Sequence, residues 1–208
     1  ITIPETWKDK RVFLHFDGVY SAAYVWVNGH YVGYAESSNN DAEYDVTAYV
    51  REGDNNVSVQ VIRWSDASYL EGQDMFHMSG IHRDVYLFAT PRTFVRDHYI
   101  TADLDSSNGY TSGSMNVQLA MDNRDGAAAE KTVSVELLGP DGSSVATGEA
   151  TFAFDEGDRT EQVKNVTFAS LSGLQAWTAE TPVLYTVVVT QKNSDGEDEM
   201  VFSTKYGF

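Results

Sequence analysis

Along most of this chain apolar and polar side chains alternate with a period of two, the spacing that turns one face of a β-strand inward and the other outward. Val12, Leu14 and Phe16 alternate with Phe13 and His15, and Val57, Val59 and Val61 alternate with Ser58, Gln60 and Ile62. Val85, Leu87 and Ala89 mark a further strand. No window of helix length carries an apolar stripe at helical spacing free of glycine or β-branched residues, so the pattern predicts an all-β chain. Ala23 to Val27 and Tyr31 to Tyr34 flank Asn28-Gly29, a pair that tolerates the positive φ of a two-residue hairpin turn. Glu52-Gly53-Asp54-Asn55 is a turn cluster ahead of the strand at Val57.

The alternation lapses from Arg63 to Ser79, where Trp64, Tyr69, Leu70, Met75, Phe76 and Met78 mix aperiodically with polar residues. A loop this long is uncommon inside a compact domain, and its aromatic content argues for structure and function over disorder. Alternation resumes at Val85 and stops at Thr90-Pro91, where proline cannot donate to a ladder. After it come about seven short strands, at Tyr99 to Leu104, Ser114 to Met121, Lys131 to Leu138, Ser144 to Phe154, Gln162 to Phe168, Leu184 to Thr190 and Met200 to Tyr206. Gly139-Pro140-Asp141-Gly142 and Asn193-Ser194-Asp195-Gly196 are the clearest turns between them. The expected organisation is two β-sandwiches, residues 1–91 and 92–208, the second with the strand count of an immunoglobulin-like domain. Only the architecture matches, because the cysteine framework of antibody domains is absent.

The 208 residues suffice for two small cores. A formal charge of −17 repels phosphate backbones and anionic membrane surfaces, so neither nucleic acid nor a membrane is an expected partner. The acidity is spread over both halves and forms no tail. Having no cysteine, the chain has no disulfide, thiolate metal site or cysteine nucleophile. No apolar run approaches the roughly 20 residues of a membrane span. The redox compartment stays undetermined.

Two segments, one in the long loop and one following it, resemble glycoside hydrolase family 2, and its β-galactosidase branch in particular. Arg63-Trp64-Ser65-Asp66-Ala67-Ser68-Tyr69-Leu70-Glu71-Gly72-Gln73-Asp74-Met75 is similar to a run typical of β-galactosidases, and Ser79-Gly80-Ile81-His82-Arg83-Asp84-Val85 to one general to the family. Upstream, Phe16-Asp17-Gly18-Val19-Tyr20-Ser21-Ala22, Trp26-Val27-Asn28-Gly29, Val32-Gly33-Tyr34 and Tyr44-Asp45-Val46-Thr47 resemble the family's sugar-binding, galactose-binding-like jelly roll. Trp177-Thr178-Ala179-Glu180-Thr181-Pro182-Val183-Leu184-Tyr185 resembles the end of its immunoglobulin-like domain. Ala67, Gly72, His77, His82 and Ala176 depart from the usual residues. The resemblance implies a jelly roll lacking its first strands and a catalytic (β/α)₈ barrel in the same polypeptide beyond Phe208, so the chain is expected to be an excised fragment without turnover of its own.

In this family the acid/base and the nucleophile are glutamates of the barrel, so the resemblance assigns no catalytic residue here. It assigns Asp74 to the substrate, as a contact to the galactose 6-hydroxyl, and to a sodium ion completed only in the whole enzyme; an oxygen donor suits such a hard cation. Sodium and magnesium are implied for the parent enzyme, which is expected to act on β-galactosides and to form a homo-oligomer, and no cofactor is expected in the fragment.

Other candidates have plainer readings beside the functional ones. The carboxylates Asp41, Glu43 and Asp45, and the set Asp66, Glu71 and Asp74, could form a catalytic pair, or the first set a calcium site, but same-face strand acids are usually solvated. His77 and His82 with Asp74 could hold a transition metal, though the spacing is not that of a helical zinc pair. Arg83-Asp84 reads as an ion pair or loop anchor. Tyr24, Trp26, Tyr31 and Tyr34 could stack sugars, but a period of two sends about half of them to the core. The alternatives to an enzyme part are an independent carbohydrate-binding module and an adhesin-like tandem of sandwiches.

Overall fold

The structure, a computed structural model, describes residues 1–74 and 76–208; Met75, the last residue of the longer loop motif, lies outside the described residues. The chain divides into two compact units, Ile1–Pro91 and Arg92–Phe208, both built from antiparallel strands. The chain is all-β, two sandwiches with a few short helical turns, as the alternation predicts.

In the first unit one sheet orders Val85–Thr90, Arg11–Phe16 and Ala42–Asp45, with Arg11–Phe16 in the middle. A second orders His30–Ala35, Ala22–Val27 and Val57–Ile62, with Ala22–Val27 in the middle. Val12, Leu14 and Phe16 from the one and Ala23, Val25 and Val27 from the other fill the space between, joined by Ile3, Val19 and Val46. Each fully buried valine contributes about 1.5 kcal/mol or more through the area it removes from water. Phe13 is buried as well, stacked on Phe88 with ring centroids 5.0 Å apart, so Arg11–Phe16 is covered on both faces.

The hairpin at Asn28-Gly29 forms as expected, both residues at positive φ, 50° and 81°. Its register shifts at Val25/Trp26, so that Val25 pairs with Gly33 and Trp26 with Tyr31. The extra residue in the His30–Ala35 strand reverses parity, which places Tyr31 and Tyr34, three apart in sequence, on the same face. Gly33 is fixed by close packing: a Cβ there would lie 2.6 Å from the Tyr44 ring.

The second unit packs a sheet of Phe94–Leu104, Ser112–Asp122 and Gln162–Ser172 against one of Ser144–Phe154, Ala129–Leu138, Tyr185–Lys192 and Asp198–Tyr206. The three-and-four division is that of an immunoglobulin-like sandwich. Its core runs from Met115, Val117, Leu119 and Met121 across to Val133, Val135, Leu137, Val187 and Val189. The first strand starts at Phe94, five residues before the alternation shows it, because a bulge between Val95 and Asp97 breaks the period. Buried polar groups lie at this end: Gln191 accepts from the Val95 N–H (2.9 Å) and donates to Thr93 O (2.8 Å), and Thr93 donates to Asn123 (2.8 Å).

Candidate functional site

The segment leaving Val57–Ile62 cannot continue the ladder, because its aperiodic mixture has no face to bury, and it crosses the rim of the first unit as the Arg63–Ser79 loop. Its base is fixed by Ser21, fully buried, whose hydroxyl donates to Ile62 O and Arg63 O (both 3.2 Å) and lies 2.8 Å from the Ser65 hydroxyl. The loop then makes one helical turn, Ala67–Leu70, among its described residues the one departure from the irregular structure expected there.

A helical turn leaves its first N–H groups without partners. Asp66 stands at the capping position but makes no capping bond; the role falls to Glu36, just past the His30–Ala35 strand, whose Oε1 accepts from the Ala67 N–H at 2.8 Å. Glu36 Oε2 accepts from the Tyr34 hydroxyl at 2.5 Å. Past the turn, Glu71 accepts from the Ser38 N–H at 3.0 and 3.2 Å. Two carboxylates therefore clamp residues 36–38 and the loop together, one from each side. Further on, the Tyr20 hydroxyl lies 2.8 Å from His77 Nδ1, and Gly80–Ile81 pairs with Val19–Tyr20 in a separate two-stranded sheet.

These bonds shift the titration of the clamp. The Tyr34 hydroxyl, then the Ala67 N–H and Ser65, hold the Glu36 carboxyl down at about 2. Donating to that carboxylate, with some burial, pushes Tyr34 up to about 12. A depressed folded pKa means that Glu36 stabilises the fold fully above its ordinary value of 4.5 and loses that contribution as pH falls from there through about 2. Tyr34 acts with the opposite sign, its contribution being lost as pH rises from 10.0 through about 12. We expect carboxyl-detected NMR to place the Glu36 midpoint near 2 in the native chain and near its ordinary value in Tyr34→Phe/Ala67→Pro, which removes both main donors; an ordinary midpoint in the native chain would show that the clamp is open.

Asp74 sits between the two tethered ends of the loop and is exposed. Around it the loop presents Tyr69, Leu70 and Phe76 at 92%, 84% and 89% exposure, with Met78 and Trp64 also exposed. A pocket of about 140 Å³ opens beside them, lined by Tyr20, Ser38, Asn39, Phe76, Met78 and His82. So much apolar surface on one loop is characteristic of a contact surface.

Residues 1–91 match the family described as "Glycosyl hydrolases family 2, sugar binding domain", and residues 93–208 match "Glycosyl hydrolases family 2". The chain belongs to glycosyl hydrolase family 2. A β-galactosidase of Priestia megaterium is 39% identical over 97% of this family 2 chain, and one of Clostridium acetobutylicum 37% identical over 97%. The chain spans only 19% and 21% of their lengths. In structure it superposes over its whole length on 25% of a Bacteroides uniformis β-glucuronidase, with a TM-score of 0.89 at 20% identity, a likeness of fold.

Within this family 2 chain the other candidates are brought into different company. Asp45 pairs with Arg11 at 2.7 Å and accepts from Thr47; burial pushes its carboxyl up, but the Thr47 bonds and the guanidinium outweigh it and leave it low. Glu43 and Asp41 lie with Asp17 around His15, at 3.3, 3.7 and 3.2 Å, beneath the stacked Tyr86 ring. Arg83 anchors the loop's return by donating to Asp17 O and Asn39 O. His77 is engaged with Tyr20, and among the described residues no group of three or more His, Asp or Glu side chains is placed to hold a metal ion. For sodium, the Asp74 carboxylate is a donor of the right kind, and a site there needs further oxygen ligands. Glu36, just past its strand, and Tyr20, in a two-residue strand, position the loop, and no local spacing marks either for that role until folding brings it to the loop.

Proposed function

We propose that this chain is the non-catalytic part of a β-galactosidase that hydrolyses terminal β-D-galactosides. Residues 1–91 act as its jelly-roll domain and place the Asp74 loop on the rim of the active site, and residues 92–208 act as an immunoglobulin-like spacer. The observation that carries this reading is the loop itself: it is tied down by Glu36, Glu71, Ser21 and Tyr20, yet spends that order on an exposed carboxylate among exposed aromatic and aliphatic side chains. Such an arrangement has a purpose only against a partner surface, here the catalytic barrel of the same polypeptide. The β-galactosidase relatives, matched over nearly the whole chain, support galactosides as the substrate class.

Retaining hydrolysis needs two carboxyl groups about 5 Å apart, one an acid and one a nucleophile. The closely placed carboxylates of this chain are committed otherwise, Asp45 to Arg11 and Thr47, and Asp17, Asp41 and Glu43 to His15. On this reading the catalytic pair belongs to the barrel, and Asp74 accepts a hydrogen bond from the sugar's 6-hydroxyl and serves as one ligand of a sodium ion. A bound sodium would supply a fixed positive charge beside that hydroxyl. The exposed loop aromatics would exclude water from the closed rim, which strengthens each polar contact inside it.

The test is a chromogenic β-galactoside assay of residues 1–208 alone and of the longer polypeptide that carries them. We expect turnover only from the longer polypeptide. Turnover by the chain alone would overturn the division of labour, and a longer polypeptide active on β-glucuronides and inert on β-galactosides would overturn the substrate class.

A further inference from the structure

The outer face of the His30–Ala35, Ala22–Val27 and Val57–Ile62 sheet carries four aromatic rings that the core does not use. The inner face is filled by Ala23, Val25 and Val27, which leaves Tyr24 and Trp26 pointing outward, and the register shift adds Tyr31 and Tyr34 to the same side. Tyr24, Tyr31 and Tyr34 are 37%, 52% and 41% exposed, and Trp26 is half-buried among them. Their ring centroids lie 4.6 Å apart for Tyr24 and Tyr34, 5.9 Å for Trp26 and Tyr31, and 6.1 Å for Tyr24 and Trp26. The period-two expectation that half of these rings enter the core is therefore corrected.

The cross-strand rows place neutral hydrogen-bonding groups beside the rings. Tyr24 pairs with Tyr34 on one side and Gln60 on the other, and Trp26 with Tyr31 and Ser58. Gln60 and Ser58 are exposed, and neither row contains a charged residue. We propose that this face is a stacking platform for a neutral pyranoside, a galacto-configured one in the first instance.

The chemistry favours that occupant over others. A pyranose presents a face of C–H groups, polarised toward the electron-rich face of an aromatic ring, and an edge of hydroxyls that need amide or hydroxyl partners. Strands about 4.8 Å apart and same-face residues about 6.7 Å apart along a strand give a four-ring patch the footprint of one or two sugar rings. A net charge of −17, no Lys or Arg in these rows and the Glu36 carboxylate on the Tyr34 hydroxyl disfavour a uronic acid and favour a neutral sugar. The buried valines behind the rings keep the platform rigid, so little order is lost on binding. The match of residues 1–91 to a sugar binding domain points to the same ligand class. The inference depends on the galactoside reading only for the choice of sugar, and it makes no use of the Asp74 carboxylate.

The experiment is a titration of the ¹⁵N-labelled chain with lactose and methyl β-galactoside, and with methyl β-glucuronide as the charged comparison, followed by NMR. Expected are saturable shifts at Tyr24, Trp26, Tyr31 and Gln60 with a Kd of about 1–10 mM for the neutral sugars, weakened about tenfold or more by Tyr31→Ala and by Gln60→Ala, with Asp74→Asn binding as the native chain does. Both substitutions are at exposed positions, and the remaining amide spectrum reports that the fold is kept. Absence of saturable shifts, shifts confined to the Arg63–Ser79 loop, or shifts indifferent to Tyr31→Ala would overturn the proposal. So would concentration-dependent broadening of the four ring residues without sugar, which would give the face to a second copy of the chain. Failure here leaves the role of Asp74 standing, and loss of the Asp74 role leaves this platform standing, because each is read on a different variant.

Discussion

Gln191→Leu is expected to destabilise the second unit by about 3 kcal/mol and to lower its unfolding temperature by about 10 °C. Gln191 is fully buried and its amide is used in full: Oε1 accepts from the Val95 N–H, and Nε2 donates to Thr93 O and to Glu199 at 2.7 Å. Leucine matches its volume, so the loss is one of hydrogen bonding and not of packing. The buried Val95 N–H and Thr93 C=O are left without partners, each at the full cost of desolvation. The loss extends to Thr93–Asn123, and from Asn123 to Ala127 O and Asp158 O at 2.9 and 2.8 Å. Glu199 keeps Lys131 at 2.6 Å, which limits the damage on that side. Urea unfolding followed by circular dichroism checks this; a change below about 1 kcal/mol would mean that water or rearrangement replaces the amide.

The second large effect is functional. In the longer polypeptide, Asp74→Asn is expected to lower kcat/KM for a β-galactoside by about 10–100-fold, the loss that follows from replacing a charged acceptor by a neutral one of the same shape. Because Asp74 is exposed and the loop is held by other residues, the same substitution in the chain alone is expected to change stability by no more than about 0.5 kcal/mol. Steady-state kinetics and thermal unfolding side by side separate the two. A stability loss of the same size as the activity loss would make Asp74 a structural residue.

The residues whose role depends on local pattern are the ones the sequence displays. Val12, Leu14 and Phe16 face the core because alternation says so, and Asn28-Gly29 makes its turn because few other pairs tolerate two positive φ values. The Arg63–Ser79 loop stands out because an aromatic-rich stretch without period has no ordinary structural use. A single inserted residue escapes such a reading. The bulge opposite Val25/Trp26 changes the parity of the His30–Ala35 strand and moves Tyr31 and Tyr34 to one face, and the bulge between Val95 and Asp97 hides the start of the next unit's first strand. Long-range pairing escapes it too: Glu36 reaches Ala67 across 31 positions and Tyr20 reaches His77 across 57, so no local spacing marks them. The candidate site was thus legible as a loop and a carboxylate, and illegible as the clamp that holds them.

The measurement that bears most directly on the account is the sodium dependence of KM for a β-galactoside in the longer polypeptide, native and Asp74→Asn, at constant ionic strength. If Asp74 shapes the sugar site and shares a sodium ion, KM falls as sodium replaces a larger cation in the native protein, and that response disappears in Asp74→Asn. An undiminished sodium response in Asp74→Asn, with kcat/KM unchanged, would place both ion and sugar beyond the reach of this loop.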